Sequence, residues 1–207
     1  MSLRGLYAIT SATLCRTPGV LRGAVEAALA GGARLIQYRD KESDAGARRQ
    51  TARKLLDLCR ERGALFIVND DVELALAIGA DGVHLGVKDL PLREARHRLG
   101  GLATIGVSCA NVLERAVAAQ DAGASYVAFG RFFPSRTKPD APPADLALLR
   151  GARAQLHIPI CAIGGLTPAN ARPVIEAGAA MIAAVEGVFG APDVEGAARA
   201  YARLFDQ

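Results

Sequence analysis

The chain has 207 residues, of which 51% are apolar and 22 are glycine, and this length suits one domain with a substantial core. The net charge of +4 is compatible with anionic ligands, but only 5% of the residues are aromatic and no basic run is interleaved with aromatics, so no nucleic-acid partner is expected. No apolar run reaches the roughly 18 residues of a membrane span, and the N-terminal MSLRGLYAIT lacks the features of a signal peptide, so we expect a cytoplasmic protein without membrane association.

The four cysteines are dispersed along the chain, at Cys15, Cys59, Cys109 and Cys161. The sequence contains no Cys-x-x-Cys motif and no Cys/His cluster, which disfavours a structural zinc site. We expect free, mostly buried thiols in a reducing compartment.

The clearest pattern is a turn of small residues followed directly by an apolar strand. Such turns lie at residues 31–33, 63–64, 79–80, 123–124 and 178–179. Glycine tolerates the left-handed backbone that ends a helix, so the chain can enter a strand at once. Recurrence every few tens of residues predicts a repeat architecture.

This repeat divides the chain into eight strand–helix units. The predicted strands lie near residues 4–10, 33–38, 64–69, 81–85, 102–107, 125–130, 159–163 and 180–185. The predicted helices lie near residues 18–31, 43–62, 71–79, 91–99, 111–123, 145–155, 167–178 and 192–205. Short apolar strands alternating with helices indicate a parallel sheet, and eight units close naturally into a single-domain α/β fold, a (β/α)8 TIM barrel over residues 1–207. An open doubly wound sheet is the alternative.

Candidate site residues are the polar residues that directly follow each strand, because active sites of such barrels lie at the C-terminal ends of the strands. After the second predicted strand, the two-residue period places Gln37, Arg39 and Lys41 on one side. An amide, a planar guanidinium and a mobile ammonium group together predict a polyanion site. The alternative interpretation is a solvated strand end.

Carboxylates follow the next two strands. Asn69 and Asp70 are expected to face the barrel mouth, whereas Asp71 is expected to cap the next helix. Asp89 follows the fourth predicted strand. Beside the cations, Asp70 and Asp89 offer two hard oxygen ligands and predict a Mg²⁺ ion shared with substrate phosphates. A helix cap is the alternative for either carboxylate alone.

Ser108 follows the fifth predicted strand, where it either hydrogen-bonds a substrate or caps the next helix. His84 lies on an apolar strand and is expected to be a core or near-site residue. His97 and His157 are expected at the surface, and nothing in the sequence resembles a Ser-His-Asp arrangement.

Later loops carry a second set of anion-binding features. Residues 131–138 bear three cations and two hydroxyls in a long loop, which can close over an anionic group. Gly164 and Gly165 precede a predicted helix, where backbone N–H groups can approach a phosphate. The eighth predicted strand ends at Val185 and Glu186, and phosphate sites after strands seven and eight are common in barrels. The sequence therefore predicts a metal-assisted anion site near strands two to four and a metal-free one near strands seven and eight.

Six segments in order along the chain form a joint pattern. They are Gln37-x-Arg39-x-Lys41, Asn69-Asp70, HLGVKD (84–89), GVS (106–108), FFPSRTK (132–138) and AIGG (162–165). Together they resemble the thiamine phosphate synthase family over nearly the whole chain. The resemblance implies a Mg²⁺-assisted transferase that joins 4-amino-5-hydroxymethyl-2-methylpyrimidine diphosphate to 4-methyl-5-(2-phosphoethyl)thiazole, releasing pyrophosphate. It also implies that the pyrimidine ionises first, which requires charge neutralisation rather than a base.

The resemblance further implies roles for individual residues. The implied pyrimidine diphosphate site comprises Gln37, Arg39, Lys41, Asn69, Ser108 and Lys138, with Asp70 and Asp89 as the Mg²⁺ ligands. The implied thiazole phosphate site comprises Ser135, Thr137, Gly165 and the backbone near Val185 and Glu186. The expected catalytic groups are Arg39, Lys41, Ser108 and Lys138. The sequence leaves the oligomeric state open, a homo-oligomer included.

Three positions depart from the commonest pattern of that family. Val87 stands where a glutamine usually precedes the metal aspartate, and Ala110-Asn111 stand where a histidine often follows the serine motif. Glu186 stands where a serine often ends the eighth strand. Because a carboxylate repels phosphate, we expect Glu186 to point toward solvent or an arginine, with backbone N–H groups holding the phosphate.

Three other functions compete with the synthase. A thiazole tautomerase-like isomerase shares the fold. The resemblance implies, however, that the isomerase family uses a histidine at the place where this chain has Ala110-Asn111. A non-catalytic sensor of phosphate ligands is disfavoured by the intact metal and leaving-group positions. A Schiff-base aldolase could use Lys41, but the flanking Gln37 and Arg39 suit a diphosphate better.

Overall fold

The computed structural model describes residues 3–134 and 141–206. In this part of the chain, eight parallel strands each pair with their sequence neighbour. They are β1 (Gly5–Ile9), β2 (Leu35–Tyr38), β3 (Leu65–Asn69), β4 (Gly82–Leu85), β5 (Thr104–Ala110), β6 (Tyr126–Phe129), β7 (Ile160–Ile163) and β8 (Met181–Ala184). Pairing of β1 with β8 closes the barrel, which confirms the predicted (β/α)8 fold and excludes the open sheet.

Helices connect the strands around the outside of the barrel. They are α1 (Ala12–Cys15), α2 (Pro18–Ala30), α3 (Ala45–Glu61), α4 (Val72–Ile78), α5 (Leu92–Leu99), α6 (Leu113–Asp121), α7 (Leu146–Gln155), α8 (Arg172–Glu176), α9 (Glu186–Phe189) and α10 (Val194–Ala202), followed by a 3-10 turn (Arg203–Phe205). The four-residue helices α1 and α9, which follow β1 and β8, were not predicted. Across the described ranges, none of the helices combines the length and the apolar character that a bilayer crossing requires.

Helix α8 is much shorter than the predicted helix at 167–178. A turn takes up the preceding residues: Asn170 Oδ1 accepts a hydrogen bond from Thr167 N (2.8 Å), and Asn170 Nδ2 donates to Gly165 O (3.1 Å). Pro173, at the start of α8, lacks the N–H group that would extend the helix backward. The turn therefore replaces one helical turn and fixes the backbone of Gly165.

The barrel interior is filled by one face of the strands, because successive side chains of a strand point to opposite faces. The buried interior residues are Tyr7, Ile9, Leu35, Ile67, Tyr126, Ala128, Cys161, Met181 and Ala183. The other face packs under the helices, with Leu6, Ile36 and Phe66 fully buried. The phase that points Leu35 inward also points Gln37 inward, toward the C-terminal mouth.

Candidate active site

The segment after β2 carries the predicted cations and is anchored by Thr10, the residue after β1. The fully buried Thr10 accepts a hydrogen bond at Oγ1 from Arg39 N (2.8 Å), and Thr10 N donates to Gln37 O (2.9 Å). Lys41 Nζ lies 2.9 Å from Asp70 Oδ2. The structure thus brings Lys41 to a predicted metal ligand, with Arg39 half-buried two residues earlier. Thr10 was missed because a threonine at a strand end resembles any β-branched strand residue.

Asp70 and Asp89 meet across the ends of β3 and β4, as predicted for a carboxylate pair. Their carboxyl groups are close enough for each to shift the pKa of the other, and Gly86 N donates to Asp89 Oδ2 (2.6 Å). Asp70 N donates to His84 O (2.9 Å), and the φ of Asp70 is +64°. This left-handed backbone is costly for a residue with a side chain, and such strain concentrates at functional sites. Asp71 caps α4 through Leu74 N (2.9 Å), which confirms its predicted role.

Burial acts on both carboxyl groups, and their other contacts then drive their pKa values apart. Burial raises the pKa of Asp70, but hydrogen bonds with Lys41, Asp89 and Asn69 outweigh it and hold this pKa below its usual value. Burial raises the pKa of Asp89, and the neighbouring Asp70 raises it further. Two neighbouring carboxyl groups make each other harder to ionise, and a bound cation would relieve that repulsion.

The donor set at this position fits Mg²⁺. Asp70 and Asp89 supply hard oxygen atoms, which Mg²⁺ prefers, and they come from the ends of adjacent strands. Within residues 3–134 and 141–206, no group of three or more His, Cys, Asp or Glu side chains could hold a metal ion. Two carboxylates leave room for substrate phosphate oxygens and water, which is the usual arrangement for Mg²⁺ at a phosphate site.

Ser108 lies inside β5, which is longer than predicted, and this position corrects the helix-cap alternative. Its Oγ is 2.9 Å from His84 Nε2, and α6 begins only after Val112, whose side chain has no polar atom. A bulge between Ser108 and Ala110 shifts the register against β6, and Ala110 has a φ of +53°. Bulges often re-aim a side chain beside an active site. Asn111 Nδ2 then donates to Pro143 O (3.0 Å), which ties the end of β5 to the loop before α7.

A line of hydrogen bonds runs through the barrel interior to Ser108. Gln37 Nε2 donates to Tyr7 Oη (2.7 Å), and Tyr7 Oη lies 2.8 Å from Tyr126 Oη. Tyr126 Oη lies 2.9 Å from His84 Nδ1. His84, predicted to be a core or near-site residue, thus joins the barrel interior to Ser108, and the amide of Gln37, only 3% exposed, donates to Tyr7. We call this line, Gln37–Tyr7–Tyr126–His84–Ser108, the interior relay.

The sequence did not predict Tyr7 and Tyr126 as residues near the site. Both lie in strands that are apolar on both faces, as in most parallel barrels, so no alternation marks the inward positions. A buried tyrosine hydroxyl usually finds a polar partner. That need for a partner was the signal that the sequence offered. In the sheet, Tyr7 aligns with Leu35 and Tyr126 aligns with Gly106.

The paired glycines after β7 have a visible packing reason. Gly164 and Gly165 have φ values of +100° and +64°. A Cβ on Gly164 would lie 2.7 Å from Arg131 Cα, and one on Gly165 would lie 2.7 Å from Phe133 Cβ. Phe133 N also donates to Gly164 O (3.0 Å). Both glycines are therefore required by the close approach of the segment after β6, apart from any role toward a phosphate.

Helix α9 begins directly after β8, beside the segment that follows β7. A Cβ on Gly187 would overlap Tyr201 Oη and lie 3.5 Å from Leu166 O. Glu186 is exposed, and a Cβ on Gly190 would lie 2.6 Å from its Oε2, so the carboxylate lies beside the far end of its own short helix. The first N–H groups of a helix have no intrahelical acceptor. The ends of β7 and β8 thus form a glycine-rich corner with backbone donors.

Three predicted site residues, and one position that departs from the family pattern, have not yet been placed. Ser135, Thr137 and Lys138 lie outside the described residues. Val87, in the turn that holds Asp89, is 63% exposed.

Taken together, the barrel mouth has a cation–carboxylate cluster on one side and a glycine-rich corner on the other. This combination defines a barrel enzyme that handles phosphorylated substrates.

Comparison with known proteins agrees with this class. A family model described as thiamine monophosphate synthase matches residues 6–188. A thiamine-phosphate synthase of Thioalkalivibrio sulfidiphilus is 55% identical over 204 residues, covering 99% of this chain and 96% of the relative. One of Nitrosococcus oceani is 52% identical over 204 residues, covering 99% and 94%. The solved thiamine phosphate pyrophosphorylase of Pyrococcus furiosus has a TM-score of 0.87 and 37% identity, covering 97% and 94%.

The chain belongs to the thiamine monophosphate synthase family. The family and the transferase class predicted from the motifs are confirmed. Because the curated relatives described above are synthases, the synthase is favoured over the isomerase that shares the fold.

Proposed function

We propose that the chain condenses 4-amino-5-hydroxymethyl-2-methylpyrimidine diphosphate with 4-methyl-5-(2-phosphoethyl)thiazole to give thiamine phosphate and pyrophosphate. The observation that carries this proposal is the contiguous cluster of Lys41, Asp70 and Asp89 at the mouth of the barrel. An ammonium group beside two neighbouring carboxyls suits a diphosphate with its metal ion better than it suits a single phosphate.

The side of the mouth formed by β2 to β4 is proposed to bind the pyrimidine diphosphate. Asp70 and Asp89 would hold a Mg²⁺ ion, which when bound neutralises charge on the departing diphosphate. Arg39 and Lys41 contact the diphosphate oxygens, the guanidinium as a planar fork and the ammonium as a point charge. Gln37, Asn69 and Ser108 orient the pyrimidine end, and Lys138 adds a further cation from the loop after β6.

The reaction needs stabilisation of negative charge and does not need a protein base. The bond between the pyrimidine methylene carbon and the diphosphate oxygen breaks, and its electron pair leaves with pyrophosphate. The lone pair of the thiazole nitrogen then forms the new bond to that carbon. Arg39 and Lys41 stabilise the charge that develops on the leaving oxygen, which lowers the barrier to ionisation. Holding the thiazole nitrogen close to the methylene supplies the remaining advantage.

The opposite side of the mouth is proposed to bind the thiazole phosphate. Backbone N–H groups near Gly165, Val185 and Glu186 would donate to its oxygens, with Ser135 and Thr137 as further proposed contacts. The carboxylate of Glu186 lies toward Gly190, which supports an arrangement in which backbone rather than side chain faces the anion. The metal is then needed on one side only.

The partners and location follow from the same features. We propose small-molecule partners alone, the two phosphorylated substrates, and no nucleic-acid or membrane partner. All four cysteines are buried free thiols. Unpaired thiols are typical of a reducing compartment, which supports a cytoplasmic location.

The activity is tested by assaying the purified full chain for thiamine phosphate, with each substrate omitted in turn and with Mg²⁺ or EDTA. Product is expected only with both substrates, is lost in EDTA and returns when Mg²⁺ is added. Conversion of the thiazole compound without the pyrimidine substrate would support the isomerase instead. Binding without turnover would support the sensor, and a borohydride-trapped adduct on Lys41 would support the aldolase.

A further inference from the structure

The interior relay has a direction, because the amide nitrogen at its start can only donate and each hydroxyl along it has a single proton to pass on as a donor. The amide Nε2 of Gln37 can only donate, so Tyr7 accepts there and turns its own proton toward Tyr126. The proton of Tyr126 then has His84 Nδ1 as its acceptor. A neutral imidazole that accepts at Nδ1 carries its proton on Nε2, which donates to Ser108 Oγ.

We propose that Tyr126 is a positioning residue that, through His84, makes the hydroxyl of Ser108 a hydrogen-bond donor to substrate. Ser108 Oγ accepts from His84, so its own proton is left for the barrel mouth. The atom that it meets there must be an acceptor, either a diphosphate oxygen or a ring nitrogen of the pyrimidine. This inference rests on the role proposed above for Ser108 and adds the direction of its bond and the residue that sets it.

The fold holds Tyr126 in place from three sides. A Cβ on residue 106 would overlap the Tyr126 ring, so Gly106 provides the space in which the ring lies. The ring stacks on His84 (centroids 5.6 Å apart, planes at 29°) and meets Tyr7 edge-on (5.9 Å, 79°). Burial raises the pKa of Tyr126 well above its ordinary value, so the phenol keeps its proton and remains a donor.

The first test reads the tautomer of His84 directly, in the substrate-free enzyme. The chain has three histidines, and His97 and His157 are exposed, so replacing both with glutamine leaves one imidazole. Nitrogen NMR of this ¹⁵N-labelled chain at about pH 8, where an ordinary imidazole is neutral, should show the proton on Nε2. A proton on Nδ1, or on both nitrogens, would overturn the proposal. This test leaves all five residues of the interior relay unaltered.

The second arm of that test removes the phenol oxygen. Tyr126→Phe should give a mixture of both tautomers, because Nδ1 loses its donor. Tyr201→Phe is the matched control, since Tyr201 is also fully buried and its Oη donates to Leu166 O (2.7 Å), away from His84. The control should keep the Nε2 proton. An unchanged tautomer in Tyr126→Phe means that another group orients His84, which would sink the role of Tyr126.

A kinetic cycle separates positioning from a merely structural effect. Tyr126→Phe should lower kcat/KM for the pyrimidine substrate by about tenfold, the upper range for one neutral hydrogen bond. In the Ser108→Ala background, Tyr126→Phe should lower kcat/KM by less than about twofold, because the effect of Tyr126 passes through Ser108. Equal losses in both backgrounds would show that Tyr126 acts on the fold. The tautomer measurement is independent of turnover, so failure of this inference is distinguishable from failure of the proposed reaction.

Discussion

The two sides of the barrel mouth handle charge by different means. On the β2–β4 side, the charges belong to side chains: Lys41 pairs with Asp70, and Asp89 is the neighbour of Asp70. On the β7–β8 side, Gly164 and Gly165 give the backbone its shape. Side chains at strand ends can be exchanged with little effect on the core, whereas a backbone corner cannot change without moving its neighbours. Substitutions on the first side should therefore alter the turnover or binding of one substrate without unfolding the barrel, and those on the second should alter stability and affinity together.

The largest expected effect is on the carboxylate pair. Asp70→Asn and Asp89→Asn each keep the shape but remove a negative charge, so kcat should fall by about 10²-fold or more. Steady-state assays at saturating substrates and Mg²⁺ measure this loss. Asp44→Asn is the matched control, because Asp44 caps α3 through Ala47 N (2.9 Å) and asparagine caps equally well. Wild-type kcat in both site variants would show that turnover does not depend on a metal ion held by these two carboxylates.

The second prediction concerns the backbone corner. Gly165→Ala should destabilise the fold by about 1–3 kcal/mol more than Gly79→Ala and raise KM for the thiazole phosphate by about tenfold. Both glycines have nearly the same φ, +64° and +66°, but a Cβ on Gly79 meets nothing within 4 Å. Urea unfolding of the two variants therefore isolates the contacts of residue 165 with Phe133 and Pro134. Equal stability of the two variants would show that the corner is loosely packed.

Arg39 should show a smaller effect that depends on shape rather than charge. Arg39→Lys keeps the charge but loses the planar fork, so KM for the pyrimidine diphosphate should rise by roughly three- to tenfold. KM for the thiazole phosphate should stay unchanged. Arg16→Lys serves as control, because Arg16 pairs with Glu42 and its side chain is 64% exposed. A parallel rise in both Michaelis constants would place Arg39 between the two sites.

The smallest effect is expected at Glu186. If its carboxylate stays beside Gly190, Glu186→Gln should change KM for the thiazole phosphate by less than about tenfold, or 1.4 kcal/mol. The exposed Glu176, at the end of α8, provides a control for loss of one negative charge. A much tighter KM in Glu186→Gln than in Glu176→Gln would mean that the carboxylate faces the phosphate.

The fold could be predicted because its signals are local. Each helix that ends at a small-residue turn passes directly into a short apolar strand, which reveals the repeat. The polar residues after the strand ends then include Lys41, Asp70 and Asp89, and no knowledge of long-range contacts is needed to find them. The bulge in β5 could not be predicted, since Ala110 adopts a positive φ without a glycine to mark it. Ser108 was therefore placed after the strand rather than within it.

The interior of the barrel was harder to predict than its mouth. Strands buried on both faces show no alternation, so Tyr7 and Tyr126 read as ordinary core residues. Gly164 and Gly165 show a second limit of the sequence: it suggested contact with a phosphate, and the structure adds a packing reason, the close approach of Arg131 and Phe133. A glycine can be required by a neighbour in space that sequence does not reveal.

The division of labour between the two sides is tested most directly by a crystal structure of the full chain with pyrophosphate, thiamine phosphate and Mn²⁺ in place of Mg²⁺, whose anomalous signal locates the metal. We expect the metal between Asp70 and Asp89, pyrophosphate beside Arg39 and Lys41, and the phosphate of thiamine phosphate against the backbone at Gly165. A metal ion or pyrophosphate bound at the β7–β8 corner would contradict this assignment of the two sides.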